Sequence, residues 1–254
     1  KMAKVITVIN QKGGVGKTTT AHAIGAWLQR TKGKKVLFID LDQQGNLTYA
    51  TGASNSNYNS LKLLINGSLD AKKIQHTSSG FSVIPSDPML ANIDMILTET
   101  GKEYRLKEAL KGLKDYDYVV IDNPPSMNVI MINALTASDF AIIPAQADIF
   151  SLQGITQLGK SLDAVKSYTN KDLNVLGIVL TRHNGRTILS RDILEVIEDT
   201  AKQLKTKVYS QTIREAVAVK EAQATRKDIF SYDAKSNASQ DYDALMQTIW
   251  TEIK

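Results

Sequence analysis

Two lysines stand five residues apart in one glycine-rich run, KGGVGKTTT at positions 12–20, directly after the apolar run VITVI at 5–9. Residues of these types at this spacing hold a polyphosphate. Gly13, Gly14 and Gly16 let the backbone curl so that the N–H groups around Val15 face phosphate oxygens. Lys17 is placed to reach the β- and γ-phosphates, the Thr18 hydroxyl to ligate Mg²⁺, and Thr19 to extend the phosphate-binding run. The usual phosphate-loop pattern has glycine where Gln11 stands here, and Lys12 then adds a second cation. A second cation on a bound polyphosphate points to an ATPase whose turnover is tied to assembly. The bland alternative is a glycine-rich turn with no ligand, and the flanking strand and helix patterns argue against it.

Carboxylates complete the expected site. Asp40 and Asp42 lie two apart in FIDLD at 38–42, so both project the same way where strand geometry continues. Asp122 closes the apolar run VVID and is followed by Asn123-Pro-Pro125. An aspartate at the end of a buried strand is costly unless it meets a cation or that cation's water shell. Thr18 and Asp122 are therefore the expected anchors of Mg²⁺, and strand carboxyl ends are where open α/β sheets bind ligands. Taken singly, each aspartate is equally a helix cap or turn residue.

The elements that must position these groups follow from periodicity. Apolar runs at Val5–Ile9, Val36–Leu41, Phe81–Ile84, Tyr118–Ile121, Phe140–Pro144 and Val175–Thr181 read as buried strands. Helical patterns run through Ala21, Ile24, Trp27 and Leu28, and across Arg105–Leu113, Ile155–Tyr168 and Ser190–Leu204. Thr51–Ser60, rich in Asn and Ser, reads as a mobile loop. The fold class is α/β, a single domain over 2–254 with a mostly parallel sheet flanked by helices. Lys1, ahead of Met2, reads as an addition to the chain.

Composition sets outer limits. The 254 residues include no cysteine, which excludes disulfides, thiolate metal sites and cysteine catalysis and fits a cytoplasmic setting. No apolar run approaches a membrane span and no signal peptide is evident. A net charge of +5 permits nucleic-acid binding without requiring it.

KGGVGKTTT, DLDQQGN at 40–46, VVIDNPPS at 119–126 and INALTASD at 132–139 together resemble the ParA/Soj family of DNA-partition ATPases, from Val5 to about Ile229. The resemblance implies a deviant Walker A fold and a homodimer that sandwiches ATP. It also implies cooperative non-specific DNA binding on the nucleoid and a centromere-binding partner of the ParB type that stimulates hydrolysis. It places Lys12 across the dimer interface on the other subunit's ATP and Lys17 on the phosphates. Thr18, with Asp122, falls at the metal, Asp42 at the attacking water, and Asp40 nearer the metal shell. Gly13 matches a small residue at the dimer contact. Arg186 matches a DNA-binding arginine. Ala218 stands where a second arginine is expected, with Arg214 and Lys220 as flanking substitutes. Gln43 and Asn123 depart from the residues common at their positions. The adenine pocket is expected near Thr181, Arg182 and Ile213–Glu215.

Two rivals share the loop. A MinD-like ATPase positions itself on membrane through a basic amphipathic tail. Here the segment 240–254 has an apolar face, but Asp241, Asp243 and Glu252 give its polar face the wrong sign, so it reads as a helix packed on the domain. A metabolic relative that forms amides would need an acid/base constellation, and His22, His76 and His183 are scattered.

Overall fold

The computed structural model describes residues 2–183 and 188–254. Seven strands form one sheet: β1 (Lys4–Val8), β2 (Val36–Asp40), β3 (Gln75–His76), β4 (Ser82–Ile84), β5 (Tyr118–Asp122), β6 (Phe140–Ala145) and β7 (Asn174–Leu180). Their order is β3-β4-β2-β5-β1-β6-β7, and only the β3–β4 pairing is antiparallel. The six strands expected from the apolar runs are present, each within a residue or so of its expected ends. β3 was not expected, because two residues at a sheet edge leave no pattern to read. The central strands are apolar at nearly every position because helices cover both faces.

One face carries Ile6, Val8, Phe38 and Val120 against the helix Lys17–Lys32 and the C-terminal helix Asn237–Ile253. The other carries Leu37, Ile39, Val119 and Ile121 against the helices Ser60–Asn66, Arg105–Leu110 and Val129–Ala137. A third apolar cluster joins β6 and β7 to the helices Ile149–Tyr168 and Ile188–Gln203. Val129–Ala137 was missed in the sequence because it is buried almost all round and shows no amphipathic stripe. The helix expected from Ile155 begins at Ile149, where Asp148 caps it by accepting the Ser151 N–H at 2.8 Å. No helix or strand occupies residues 51–59 beyond the end of Asn46–Ala50.

The helix after the phosphate loop is held from several sides. Thr20 and Tyr242 share a hydrogen bond of 3.1 Å, and the Trp27 indole N–H donates to Asp243 at 2.7 Å. Arg30 donates through two nitrogens to the buried carboxylate of Asp228, at 2.7 and 2.9 Å. The apolar residues Tyr242, Leu245, Met246, Ile249 and Ile253 of the C-terminal helix are all buried against this assembly.

Gly25 lets this helix approach β2, since a Cβ there would overlap the Phe38 ring. Alanine gains about 1 kcal/mol of helix propensity, while overpacking costs about 1–3 kcal/mol. Gly25→Ala is expected to lower stability in urea unfolding; an increase would mean that the helix and β2 are not packed this closely.

His22 stands edge-on to Phe38 and Phe81, with ring centroids 5.8 and 5.3 Å away. Burial lowers its pKa from 6.5 to about 4, against a modest opposing pull from Asp228. As pH falls from 6.5 to 4, the unfolded chain gains this proton before the folded one does, so stability is complete above the window and lost through it. The full difference corresponds to about 3 kcal/mol. His22→Leu should flatten the decline of thermal stability between pH 6.5 and 4 relative to the parent; parallel curves would exclude His22 as its source.

Candidate active site

β5 lies between β1 and β2, so three chain segments far apart in sequence meet at one carboxyl edge of the sheet. The loop after β1 is pinned at its flanks. Asn10 donates to the Pro144 carbonyl at 2.7 Å and accepts the Lys12 N–H at 2.9 Å. The Thr181 hydroxyl donates to the carbonyl of Val15 at 2.8 Å. Gly14 and Gly16 have φ of +76° and +85°, where a side chain would be strained, and Gly16 leads into the helix Lys17–Lys32. Backbone N–H groups from Gly13 through Thr19 bond no acceptor among the described residues. They crown the positive end of a sixteen-residue helix, the arrangement that receives phosphate.

A cleft of about 530 Å³ opens over this loop. Gly13, Gly14, Gly16, Lys17, Thr18, Thr19 and Asp42 line it, with Gln43, Gln44, Asn46, Tyr49, Pro125, Arg182 and Gln223. Lys17 is 7% exposed and its Nζ donates to the Lys12 carbonyl at 2.9 Å, spanning the loop. Burial lowers its pKa, while Asp122 and Asp42 oppose the shift. Thr18 donates to Asp122 Oδ2 at 2.6 Å. The other oxygen of Asp122 is buried with no hydrogen-bond partner among the described residues. Burial, with the neighbouring charge of Asp40, pushes the Asp122 pKa well above the usual carboxylate range.

This donor set fits Mg²⁺. Two carboxylates, Asp122 and Asp42, act on Lys17, and Asp122 keeps an oxygen free beside the Thr18 hydroxyl. No group of three or more His, Cys, Asp or Glu side chains forms a metal cage among the described residues. That agrees with an ion that keeps several waters and takes its remaining ligands from phosphates. Thr18 and Asp122 are the residues that would hold it.

Asp40 is employed differently from the expectation that set it near the metal. One oxygen accepts the Thr48 N–H and the Thr48 hydroxyl, each at 2.7 Å, and the other accepts the Asp42 N–H at 3.1 Å. It anchors the turn that carries Asp42. Burial still raises its pKa to about 6, with the Thr48 hydrogen bonds pulling the other way. Asp42 itself lines the cleft, accepts the Gln44 N–H at 3.0 Å, and has its carbonyl held by the Ser86 hydroxyl. Asn123 ties β5 to β1 through Thr7 at 2.7 Å and the Val8 carbonyl at 3.1 Å.

Lys12 does not line the cleft beside its own loop. Its Nζ pairs with Asp148 at 2.6 Å, 5.8 Å from the Phe150 ring centroid. Burial alone would raise the Asp148 pKa, but hydrogen bonds from Lys12, Ser151 and Phe150 outweigh it and lower the value. A Cβ on Gly13 would meet nothing within 4 Å, so no contact inside the chain demands glycine there.

A smaller cavity of about 80 Å³ adjoins the cleft, lined among others by Thr181, Arg182, Ile213, Glu215, Lys220 and Gln223. It coincides with the segments expected around adenine. Gln223 was not foreseen; its amide donates to Thr19 at 3.0 Å, and it reaches both cavities from a helix with no motif. Arg182 lies between the two cavities at a φ of +49°, unusual outside glycine. Of the DNA candidates, Arg214 is held by Asp241 through Nε and a terminal nitrogen at 2.6–3.2 Å, so its charge is already countered. Lys220 lines the small cavity, and Arg186 lies outside the described residues.

A family described as AAA domain matches residues 3–175. The sporulation initiation inhibitor protein Soj of Bacillus subtilis (strain 168) is 39% identical over 246 residues, covering 95% of this chain and 96% of Soj. The chain belongs to the ParA/Soj family of P-loop ATPases. The chromosome partitioning protein ParA of Caulobacter vibrioides is 36% identical over 246 residues, covering 94% of this chain and 91% of ParA. A structure of cobyrinic acid a,c-diamide synthase from Mycobacterium smegmatis, with bound ATP analog and magnesium, aligns with a TM-score of 0.82 at 32% identity. It covers 98% of this chain and 95% of that one. The ATPase thus hydrolyses ATP, with Mg²⁺ as its cofactor.

The two buried aspartates should separate on mutation. Asp40→Ala strands three donors around Thr48 and Asp42 and should cost about 3 kcal/mol in urea unfolding. Asp122→Ala removes a buried charge from a crowded trio and should leave stability near that of the parent while abolishing Mg²⁺-dependent hydrolysis. Equal stability losses would merge the two roles.

Proposed function

We propose that this ATPase partitions DNA. In this reading two copies close around ATP, the dimer holds DNA without sequence preference on the nucleoid, and a ParB-type partner stimulates hydrolysis. The position of Lys12 carries the reading. The loop's second lysine does not line the cleft beside it and is held by Asp148, from which a facing copy could take it, whereas Lys17 serves its own cleft. The pair with Asp148 is partly exposed and is worth at most about 1 kcal/mol, so exchange of Asp148 for a partner's phosphate is easy. Gly13 agrees, since glycine at an open position suits close approach by another chain.

In the reaction, Lys17 and the loop N–H groups neutralise and fix the phosphates, and Asp42 orients the attacking water. Thr18 and Asp122 hold Mg²⁺, which when bound supplies further charge neutralisation. Phosphoryl transfer needs positioning and charge more than covalent help from the protein. The small cavity by Thr181 and Ile213 takes the adenine.

The membrane-positioning alternative loses its instrument in the tail. The apolar residues of Asn237–Ile253 are buried on the fold, and no helix among the described residues is long and apolar enough to cross a membrane. The relative named for chromosome partitioning also exceeds the diamide synthase in identity over similar coverage, 36% against 32%.

Lys17→Ala should abolish ATP binding. Lys12→Ala should bind ATP yet stay monomeric and lose hydrolysis. Asp42→Ala should dimerise with ATP and Mg²⁺ but turn over at least ~10²-fold more slowly. Kilobase random DNA should bind more tightly with ATP than with ADP, and anionic liposomes should not bind. Equal loss of nucleotide binding in the two lysine variants would end the trans role, and ATP-dependent liposome binding would transfer the protein to the membrane reading.

A further inference from the structure

The edge of the sheet opposite the phosphate loop holds a cleft of its own, of about 570 Å³. Lys4 opens β1, Lys35 immediately precedes β2 and Lys114 lies just before β5, so the cleft sits where these strands begin. A five-residue strand sets the two edges about 16 Å apart, and the two clefts share no lining residue. Lys34 and Lys254 bring the lysines in the lining to five. None of the five forms an ion pair among the described residues. Lys4 is fixed by the carbonyls of Ile253 and Lys254, at 2.7 and 3.0 Å. Like charges gathered in a concave space repel one another and focus their field on it, so an anion seated there is favoured.

We propose that this cleft is a second nucleotide site, which takes a nucleoside polyphosphate by its phosphates, sugar and base together. The assignment does not depend on the partition reading. The mixed lining favours this occupant over a bare polyanion. Lysine ammoniums meet phosphate as point charges. Asp115 and Asp117 stand among them, and repel a ligand that is anionic throughout. Asp117 spends one oxygen on the Lys35 N–H, at 2.9 Å, and Asp115 forms no ion pair among the described residues. Carboxylate oxygens therefore remain to accept from sugar hydroxyls or a base amino group. Tyr116, Tyr118 and Trp250 add aromatic surface of the kind on which bases stack. Lys32 and Lys34 hold their Nζ atoms 5.5 and 6.0 Å from the Trp250 ring centroid, so one ligand can meet cation and ring together. The volume lies within the roughly 300–1,000 Å³ usual for small-ligand pockets.

The C-terminal helix connects this cleft to the phosphate loop. Its last turns carry Trp250 into the cleft wall. Its first turns hold the helix Lys17–Lys32, through Tyr242 on Thr20 and Asp243 on Trp27. A nucleotide seated against Trp250 thus bears on the element that fixes the phosphate loop, from the opposite edge of the sheet.

The test is equilibrium dialysis against a labelled, non-hydrolysable ATP analogue. It compares the parent with Lys34→Gln/Lys35→Gln/Lys114→Gln, each also in a Lys17→Ala background that disables the phosphate loop. The parent should bind two molecules per chain. In both backgrounds the triple variant should lose at least roughly tenfold in affinity for one of them. Its circular dichroism and, with Lys17 in place, its basal ATP hydrolysis should be unchanged. In the Lys17→Ala chain, tripolyphosphate should compete at least roughly tenfold less well than the analogue, because it brings no base to stack. A single molecule bound per parent chain would overturn the site, as would a second molecule held equally well by the triple variant. Tripolyphosphate competing as well as the analogue would overturn the nucleotide assignment.

Discussion

The crowding of Asp40 and Asp42 on the buried Asp122, with Lys17 as the one cation beside it, is the constraint on which the rest of the site depends. Asp40 and Asp122 are paired in register across β2 and β5, and neither is exposed to solvent. Carboxylates so buried are pushed toward their neutral forms, and their mutual repulsion adds to the burial. The chain resolves half of this internally. Asp40 receives three hydrogen bonds and becomes part of the scaffold. Asp122 receives one, from Thr18, and its second oxygen has no partner among the described residues. That residual demand for positive charge, beside N–H groups that want an anion, matches a magnesium–polyphosphate pair and little else. Insertion of β5 between β1 and β2 lets one small volume contain both demands.

The helix after the loop shows how far from the chemistry the supports extend. Its N-terminus presents the phosphate-binding groups, so its placement must be fixed. The last helix does this through Tyr242 on Thr20 and Asp243 on Trp27, while Asp228 takes Arg30. A tail whose apolar face is engaged in this way has none left over for a lipid surface. The acidic residues that argued against a membrane tail are here put to use inside the fold: Asp241 holds Arg214, Asp243 holds Trp27, and Glu252 bonds Tyr209 and Lys207.

Much of this was legible in the chain because local spacing carried it. The glycine run, the strand-end aspartates and the apolar strands are patterns of near neighbours, and six strands and the loop's composition could be read directly. What escaped was assembled over long separations. Thr48 and Ser86 support Asp40 and Asp42 across loops, and Gln223 reaches Thr19 from 204 residues away. Asp148 was readable as a helix cap, with Ser151 three residues on, but nothing in the sequence paired it with Lys12. The helix Val129–Ala137 hid for the opposite reason. It is so thoroughly apolar that it lacks the polar stripe by which helices are recognised.

A parallel sheet also sorts charge by the direction of the chain. Every strand of β1, β2 and β5 is entered from the same side and left at the other. Residues just before these strands therefore gather at one edge, and residues just after them at the other. Here Lys4, Lys35 and Lys114 fall before or at strand starts, while Asp40, Asp42 and Asp122 fall at or beyond strand ends. The amino edge is exposed and its lysines remain solvated, so the charge there costs little. The carboxyl edge is buried, and its charge must be matched by a compact cation and a bound phosphate. One topology thus separates a dry catalytic edge from a wet electrostatic one. Charge at the wet edge is screened by salt, whereas the pairing inside the dry edge is largely shielded from it.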